Sequence, residues 1–301
     1  MNLRTAAKQR LWSVRPLIKR LLSVAGVTGV AGIVVSGALT AAELTTHRLG
    51  NYQRLPAKSG YEFQTPGLRA MQDDNFANPG YLWVDKGQAL WTQTVGHVGS
   101  VSNAGPSCAS CHGARGEVPI NGSALTVNDA ATRYPRFQSG VGSLVNLEQQ
   151  INACRKRYQK LPGLAWESDE LLSITAFVGE LARGKPVKVQ IDGPAKRYFD
   201  EGRHYYQTRR GQLNLACTQC HDQNVGRQLR GDTVTQGQSN GFPAYRLQWQ
   251  KPGSLHRRLR NCNVGVRAEP LPYGSATYLS LELFLAWRAS GLPIETPAVR
   301  P

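Results

Sequence analysis

The sequence predicts a mainly α-helical chain of two tandem units with long loops, preceded by an N-terminal signal or anchor helix. Three observations carry this. Several stretches repeat apolar residues at helical spacing. The order helix, cysteine motif, loop and helix occurs twice. The N-terminus has the layout of an export segment.

That segment comes first in the chain. Arg4, Lys8, Arg10, Arg15, Lys19 and Arg20 precede Leu21 to Ala42, a 22-residue stretch without a charge. A basic region followed by an apolar one reads as a secretory signal, and its length also suits a bilayer-spanning anchor. Ser36-Gly37-Ala38 offers a small-x-small cleavage site, and Gly26, Gly29, Gly32 and Gly37 dilute the apolar character. We therefore expect residues 1–42 to be a cleaved signal, with membrane attachment through residues 21–42 as the alternative. The n-region has no Arg-Arg pair, which favours the general secretory route to the periplasm. The 301 residues are 41% hydrophobic, enough for about two domains with a real core. Formal net charge is +16, and the 30 basic and 20 acidic residues beyond position 42 still leave +10. In an exported protein no nucleic-acid partner is expected. An excess of this kind steers small anions or an acidic protein.

The elements follow in order. Residues 43–80 read as irregular, closing on the turn Asn78-Pro79-Gly80. Tyr81 to Thr94 reads as a helix, residues 113–142 as loop, and Leu144 to Tyr158 as a helix. Glu167 to Leu181 is amphipathic, with Leu171, Ile174, Val178 and Leu181 on one face, and Arg183-Gly184-Lys185-Pro186 stops it. The order then repeats. Ala195 to Tyr206 reads as a helix, and a Gly- and Gln-rich loop runs to about Gly253. Leu255 to Cys262 is short and very basic, and a terminal helix spans Ser275 to Ala289. An extended tail begins at Gly291. The first helix of each unit has a glycine with an aromatic four residues later, Gly87 with Trp91 and Gly202 with Tyr206. The last helices carry Phe177 in one unit and Tyr278, Phe284 and Trp287 in the other.

The chemistry lies in the six cysteines. Cys108-Ala109-Ser110-Cys111-His112 and Cys217-Thr218-Gln219-Cys220-His221 are both C-x-x-C-H, the pattern of c-type haem attachment. Two thiols three residues apart on a helical turn can each bond one vinyl group of a porphyrin, with the adjacent histidine under the iron. A thioredoxin-like or half-zinc reading of C-x-x-C leaves the repeated histidine unexplained. We expect two covalently bound haem c groups in two tandem cytochrome c-like haem domains. Domain 1 covers residues 43–188 and domain 2 residues 189–301.

Each iron needs a second axial ligand. Methionine is common in that role, but the chain has only Met1 and Met71, both before motif one. His47, His97, His204 and His256 do not recur at equivalent positions. Cys154 and Cys262 do, 42 residues after His112 and 41 after His221. They could instead form a disulfide with each other, but the matched offsets favour thiolate ligation and low haem potentials. Cys154 is expected to be a buried structural ligand and Cys262 to be reactive. The run His256-Arg257-Arg258-Leu259-Arg260-Asn261-Cys262 puts three guanidiniums near that thiol, lowering its pKa and forming a receptor for a tetrahedral oxyanion. Arg258, four residues before Cys262, would share its helix face. A solvated basic face, or pairing of an arginine with haem propionates, is the plainer reading of the same run.

The chain resembles the SoxA family, the cytochrome subunit of the SoxAX thiosulfate-oxidising complex, in its dihaem form. The resemblance rests on Arg69-Ala70-Met71-Gln72-Asp73-Asp74, Asn78-Pro79-Gly80, both haem motifs, Asn261-Cys262 and Val266 to Gly274. Ala286-Trp287-Arg288 and Glu295 to Arg300 add to it. It implies an L-cysteine S-thiosulfotransferase that joins thiosulfate to a cysteine of a SoxYZ-like carrier, with electrons leaving through haem. It implies His112 and Cys154 as axial ligands of the first haem. His221 and Cys262 would be those of the active-site haem, with Cys262 often a persulfide and Arg258 binding substrate. It also implies a heterodimer with a monohaem, SoxX-like cytochrome c subunit. Some members replace the first haem by a disulfide, but this chain keeps motif one. A dihaem electron-transfer cytochrome without a substrate site is the alternative. A haem or sulfur-anion sensor is a third reading, with no visible signalling motif.

Overall fold

A computed structural model describes residues 52–94 and 105–301. The expected signal or anchor, His47 and His97 lie outside the described residues. Among the described residues no helix is long and apolar enough to cross a membrane. Gln53–Pro301 forms one compact unit, mainly helical as expected, and built around two crossed helix pairs.

In the first pair, α2 (Tyr81–Thr92) packs along α5 (Asp169–Leu181); in the second, α6 (Lys196–Gln207) packs along α9 (Ala276–Arg288). Both crossings are closed by a glycine. A Cβ at Gly87 would overlap the Ser173 carbonyl, and one at Gly202 the Ser280 carbonyl. Ser173 and Ser280 are fully buried, so a small residue faces each glycine and the backbones touch. The aromatics noted in the sequence fill the space beside each crossing. The Trp91 ring lies 5.7 Å from Phe177, and the Tyr206 ring 5.2 Å from Phe284. Both last helices start on a serine cap. Ser168 accepts from the Leu171 N–H at 3.3 Å, and Ser275 from the Tyr278 N–H at 3.4 Å.

The sequence missed one helix. Pro66–Asp73, α1, lies in the stretch read as irregular. Its start signals are present: Thr65 accepts from the Leu68 N–H at 3.3 Å, and Pro66 occupies the first turn. The helix is short and largely polar, so periodicity does not reveal it. The regions read as long loops also hold short strands. Arg136–Gln138 (β1) pairs antiparallel with Ser143–Val145 (β2), and Gln228–Leu229 (β3) with Asp232–Thr233 (β4). Ala244–Arg246 (β5) lies between Lys251–Gly253 (β6, antiparallel) and Ala298–Arg300 (β7, parallel), the latter from the extended tail. Strands of two or three residues are too short for an alternating pattern to register. Leu147–Tyr158 (α4) starts later than expected, on an Asn146 cap that accepts from the Gln149 N–H at 3.0 Å. Cys108–His112 (α3) and Cys217–His221 (α7) are single turns, and Leu255–Gly265 is α8.

A buried polar seam joins the Cys154-bearing helix α4 to the Cys262-bearing helix α8. His256, 1% exposed, stacks on Trp166 at 5.1 Å and faces Glu282 at 3.1 Å. Its Nδ1 accepts from the Gly274 N–H at 3.0 Å, so Nε2 carries the proton given to Glu282. Glu282 also accepts from Asn146 Nδ2 at 3.1 Å. Beside it a cavity of about 60 Å³ is lined by Glu148, Glu282, Asn240, Tyr134 and Leu255.

Candidate active site

Each C-x-x-C-H turn starts from a capped entry. Ser107 accepts from the Ser110 N–H at 3.0 Å before α3, and the Ala216 N–H donates to Gln219 Oε1 at 2.6 Å before α7. The turn places both thiols of a motif and its histidine together. Each motif is then tied to the helix pair beside it by the aromatic four residues after the crossing glycine. Trp91 Nε1 donates to the Gly113 carbonyl at 2.9 Å, and Tyr206 Oη to Asp222 at 2.9 Å. Gly113 and Asp222 directly follow His112 and His221. In the second unit Arg288, 1% exposed, also holds Asp222 at 2.6 Å. The glycine-plus-aromatic spacing read from the sequence is therefore part of how each motif is positioned.

The residues fit a covalently held haem. His221 Nδ1 lies 2.7 Å from the Thr235 carbonyl. A carbonyl can only accept, so Nδ1 carries the proton and Nε2 keeps its lone pair for a metal. Gly237 lies against this ring, where a Cβ would sit 3.0 Å from it, and its φ of +68° also favours glycine. Burial pushes Cys108 and Cys217 up to about 11 and raises Cys220. His112 is lowered by burial, which also favours the neutral imidazole a metal needs. Among the described residues no disulfide exists, so Cys154 and Cys262 are not joined. Of the other histidines, His204 is exposed on α6 and His256 is engaged in the seam.

The trailing cysteines lie near their motifs. Cys154 is close enough to both Cys108 and Cys111 for their charges to interact, and Cys262 likewise to Cys217 and Cys220. They differ in surroundings. Cys154 is partly exposed. Burial still raises it above the usual thiol value, against the Gln150 amide that donates to it at 3.2 Å. Cys262 is also partly exposed by area. Burial acts to raise it, but Arg258, a hydrogen bond with His221 and Arg246 outweigh that and bring it down to about 7. Near neutral pH a large share of Cys262 would thus be thiolate.

The three guanidiniums of the basic run differ in their surroundings. Arg257 stacks on Trp249 at 4.2 Å and pairs with Glu167 at 3.7 Å. Arg260 lies over Tyr273 at 4.8 Å and donates to the Leu271 carbonyl. Arg258, one helical turn before Cys262 on α8, has no side-chain hydrogen bond or carboxylate partner among the described residues. The arginine that sequence reasoning missed is Arg246. It lies 16 positions before Cys262 in the chain and is brought close by the β5–β6 hairpin. No local pattern announces it. The assembled site has a histidine fixed through Nδ1 on the Thr235 carbonyl and meeting the Cys262 sulfur, a thiol biased to thiolate and a guanidinium without a carboxylate partner among the described residues. It can ligate a metal on one side and hold an oxyanion on the other.

Comparison with known proteins locates this arrangement. A family model described as SoxA/TsdA, cytochrome c domain, matches residues 86–187 and 201–294. The L-cysteine S-thiosulfotransferase subunit SoxA of Rhodovulum sulfidophilum is 34% identical over 271 residues, covering 89% of both chains. The protein of the same name from Pseudaminobacter salicylatoxidans is 35% identical over 243 residues, 80% of both chains. The crystal structure of SoxXA from P. pantotrophus superposes with a TM-score of 0.73 at 34% identity, covering 81% of this chain and 86% of that one.

Proposed function

The chain belongs to the SoxA/TsdA cytochrome c family, and we propose that it is a dihaem L-cysteine S-thiosulfotransferase subunit acting in thiosulfate oxidation. It binds haem c covalently. Cys108 and Cys111 would attach one haem, with His112 and Cys154 holding its iron. Cys217 and Cys220 would attach the other, with His221 and Cys262 holding its iron. The boundary between the two haem domains falls at residues 188–189. The observation that carries the reading is the pairing of Cys262, drawn down to about 7, with Arg258 one turn away.

In this reading Arg258 holds the sulfonate end of thiosulfate and turns its sulfane sulfur toward the Cys262 sulfur. The carrier's cysteine thiol and thiosulfate give a cysteine S-thiosulfonate, one proton and two electrons. A sulfur–sulfur bond forms and the S–H bond breaks. The haems, when bound, supply the acceptors through which the electrons leave. His221 stays oriented throughout by the Thr235 carbonyl. The partners are a SoxX-like monohaem cytochrome in a heterodimer and a SoxYZ-like carrier, and the location is the periplasm after removal of residues 1–42.

The test is thiosulfate-dependent loading of the carrier by the haem-loaded complex, followed by intact-mass analysis. The expected product is a carrier cysteine heavier by a thiosulfonate group. A Cys262→Ser variant holding both haems that still turned over at the parent rate would overturn the role of Cys262. A parent complex that leaves the carrier unmodified would overturn the function.

A further inference from the structure

The Cys154 sulfur has a hydrogen-bond donor of its own that the proposed chemistry leaves unused. Gln150 lies one turn before Cys154 on α4, and its side-chain Nε2 donates to the sulfur at 3.2 Å. An amide nitrogen carries two protons and accepts nothing, so the sulfur is the acceptor. A flip of the amide would turn its oxygen toward the sulfur instead, and Gln138 opposes that. Gln138 Nε2 donates to Gln150 Oε1, and the same nitrogen lies 3.4 Å from the Tyr134 hydroxyl. The side chains form a line from Gln138 through Gln150 to Cys154, and all three residues are partly buried.

The fold holds both ends of that line. Gln138 closes β1 opposite Ser143 of β2. The hairpin turn gathers on the Gln138 carbonyl, which accepts from the Val141 N–H at 3.0 Å and the Gly142 N–H at 2.8 Å. Gly142 takes a φ of +73° to complete the turn. Beside it, the Phe137 ring packs 6.2 Å from Tyr198. At the other end the Asn146 cap fixes the start of α4, and the four-residue step sets Gln150 over Cys154. The same step back from Cys262 on α8 reaches Arg258. One turn before its trailing cysteine, the first unit therefore has a neutral amide where the second has a guanidinium.

We propose that Gln150 is a positioning residue for the first haem: its amide takes up part of the negative charge on the Cys154 sulfur and so raises the reduction potential of the iron that this sulfur would hold. This rests on the reading of Cys154 as an axial ligand. A thiolate pushes charge onto iron and favours the ferric state, and a hydrogen bond to the sulfur withdraws some of that charge. Gln138 keeps the amide turned to the sulfur. An amide has no net charge, so it tunes the sulfur without offering an anion the counter-charge that Arg258 offers beside Cys262.

The experiment compares the haem-loaded parent complex with Gln150→Leu and Gln138→Leu. Reduction potentials are read by optical titration, with paramagnetic resonance of the ferric protein separating the two haems. Leucine keeps most of the bulk and removes the donor. In Gln150→Leu the reduced fraction of the first haem at a fixed ambient potential should fall about three- to tenfold, a downward shift of about 30–60 mV for a one-electron couple. The second haem should keep its potential and is the control within the same molecule. The iron–sulfur stretch in resonance Raman spectra should rise as the sulfur donates more strongly. Gln138→Leu leaves the donor but frees its far end, and should shift the same haem downward by less. A merely structural glutamine would lower thermal stability and leave both potentials and the stretch as in the parent, and that result overturns the proposal. If Gln150→Leu does not load the first haem, Gln138→Leu decides, an unmoved potential again being fatal. Cys154→Ser separates the proposal from the reading beneath it. If serine leaves both haem spectra as in the parent, Cys154 is no ligand and both ideas fall. If serine changes one haem while Gln150→Leu moves neither potential, the ligand stands and the tuning role is wrong.

Discussion

The two haem units share a frame and differ in what surrounds the trailing cysteine. In both, a glycine crosses a buried serine, an aromatic one turn later holds the residue after the motif histidine, and a cysteine follows 42 or 41 residues on. Around Cys154 the neighbours are an amide from Gln150 and the motif thiols, and burial keeps the thiol high. Around Cys262 two arginines and His221 reverse the sign of the shift. One scaffold thus carries two thiols shifted in opposite directions, the difference being a few charges set on it.

The sharpest way to break this comparison is to treat the cysteines alike. Cys262→Ser should lower carrier loading by at least about a thousandfold, the scale on which a reacting group is lost. Cys154→Ser should leave loading within about tenfold while changing the absorption and paramagnetic resonance spectra of one haem. Equal losses from the two changes would mean that both are structural ligands.

Next in size is the guanidinium. Arg258→Gln should lower kcat/KM for thiosulfate about a hundredfold, in the range for losing a charge-assisted hydrogen bond to an oxyanion. Arg260→Gln, whose charge is spent on the Leu271 carbonyl and the Tyr273 ring, should change it by less than about threefold while costing some thermal stability. If the two arginines matter equally, the basic run acts as a diffuse field and the discrete site is wrong.

The frames themselves can be compared. Gly87→Ala and Gly202→Ala each push a methyl group into a backbone carbonyl. Each should destabilise the chain by about 1–3 kcal/mol, read by thermal or urea unfolding of the haem-loaded protein. Similar losses would sharpen the equivalence of the two crossings. A loss confined to one would show that the other crossing tolerates separation.

Legibility in the sequence followed the range of the interaction. The haem motifs, the crossing glycines and their aromatics are local patterns, and each is found in its predicted place. Arg258 was legible because one helical turn links it to Cys262. Arg246 was not, because its approach depends on a hairpin whose strands are three residues long and on an indole shared with Arg257. For the same reason the run around Cys262 was overcounted. Whether Arg257 and Arg260 are free or engaged depends on Glu167, Trp249 and the Leu271 carbonyl, none of which lies within one turn of them. The α1 helix is hidden because eight largely polar residues carry no apolar periodicity, leaving only its Thr-Pro start as a signal. His256 looked like a candidate ligand by type alone, and only the fold shows it held between Trp166 and Glu282.

The last comparison concerns whether the two units fold as one. Glu148 lies in the first turn of α4, where the helix dipole favours a carboxylate. Burial wins there, with Glu282 and then Glu167 adding like charge, and Glu148 is pushed up to about 8. His256 faces this group through Glu282. The unfolded chain loses the Glu148 proton near its ordinary value of 4.5, while the folded chain keeps it to about 8. Between those values the folded state binds more protons, so the contribution to stability falls as pH rises, by at most about 1.4 kcal/mol per pH unit. Below 4.5 both states are protonated and the contribution is constant. Glu148→Gln removes the titration. It should match the parent in melting temperature at pH 4.5 and exceed it at pH 8, the gap opening steadily between. Because Glu148 belongs to the Cys154 helix and Glu282 and His256 to the other unit, a single transition that gains stability as a whole would show the seam uniting the two. Two transitions, with only the first shifted, would show that the haem units unfold separately and that their likeness extends to independence.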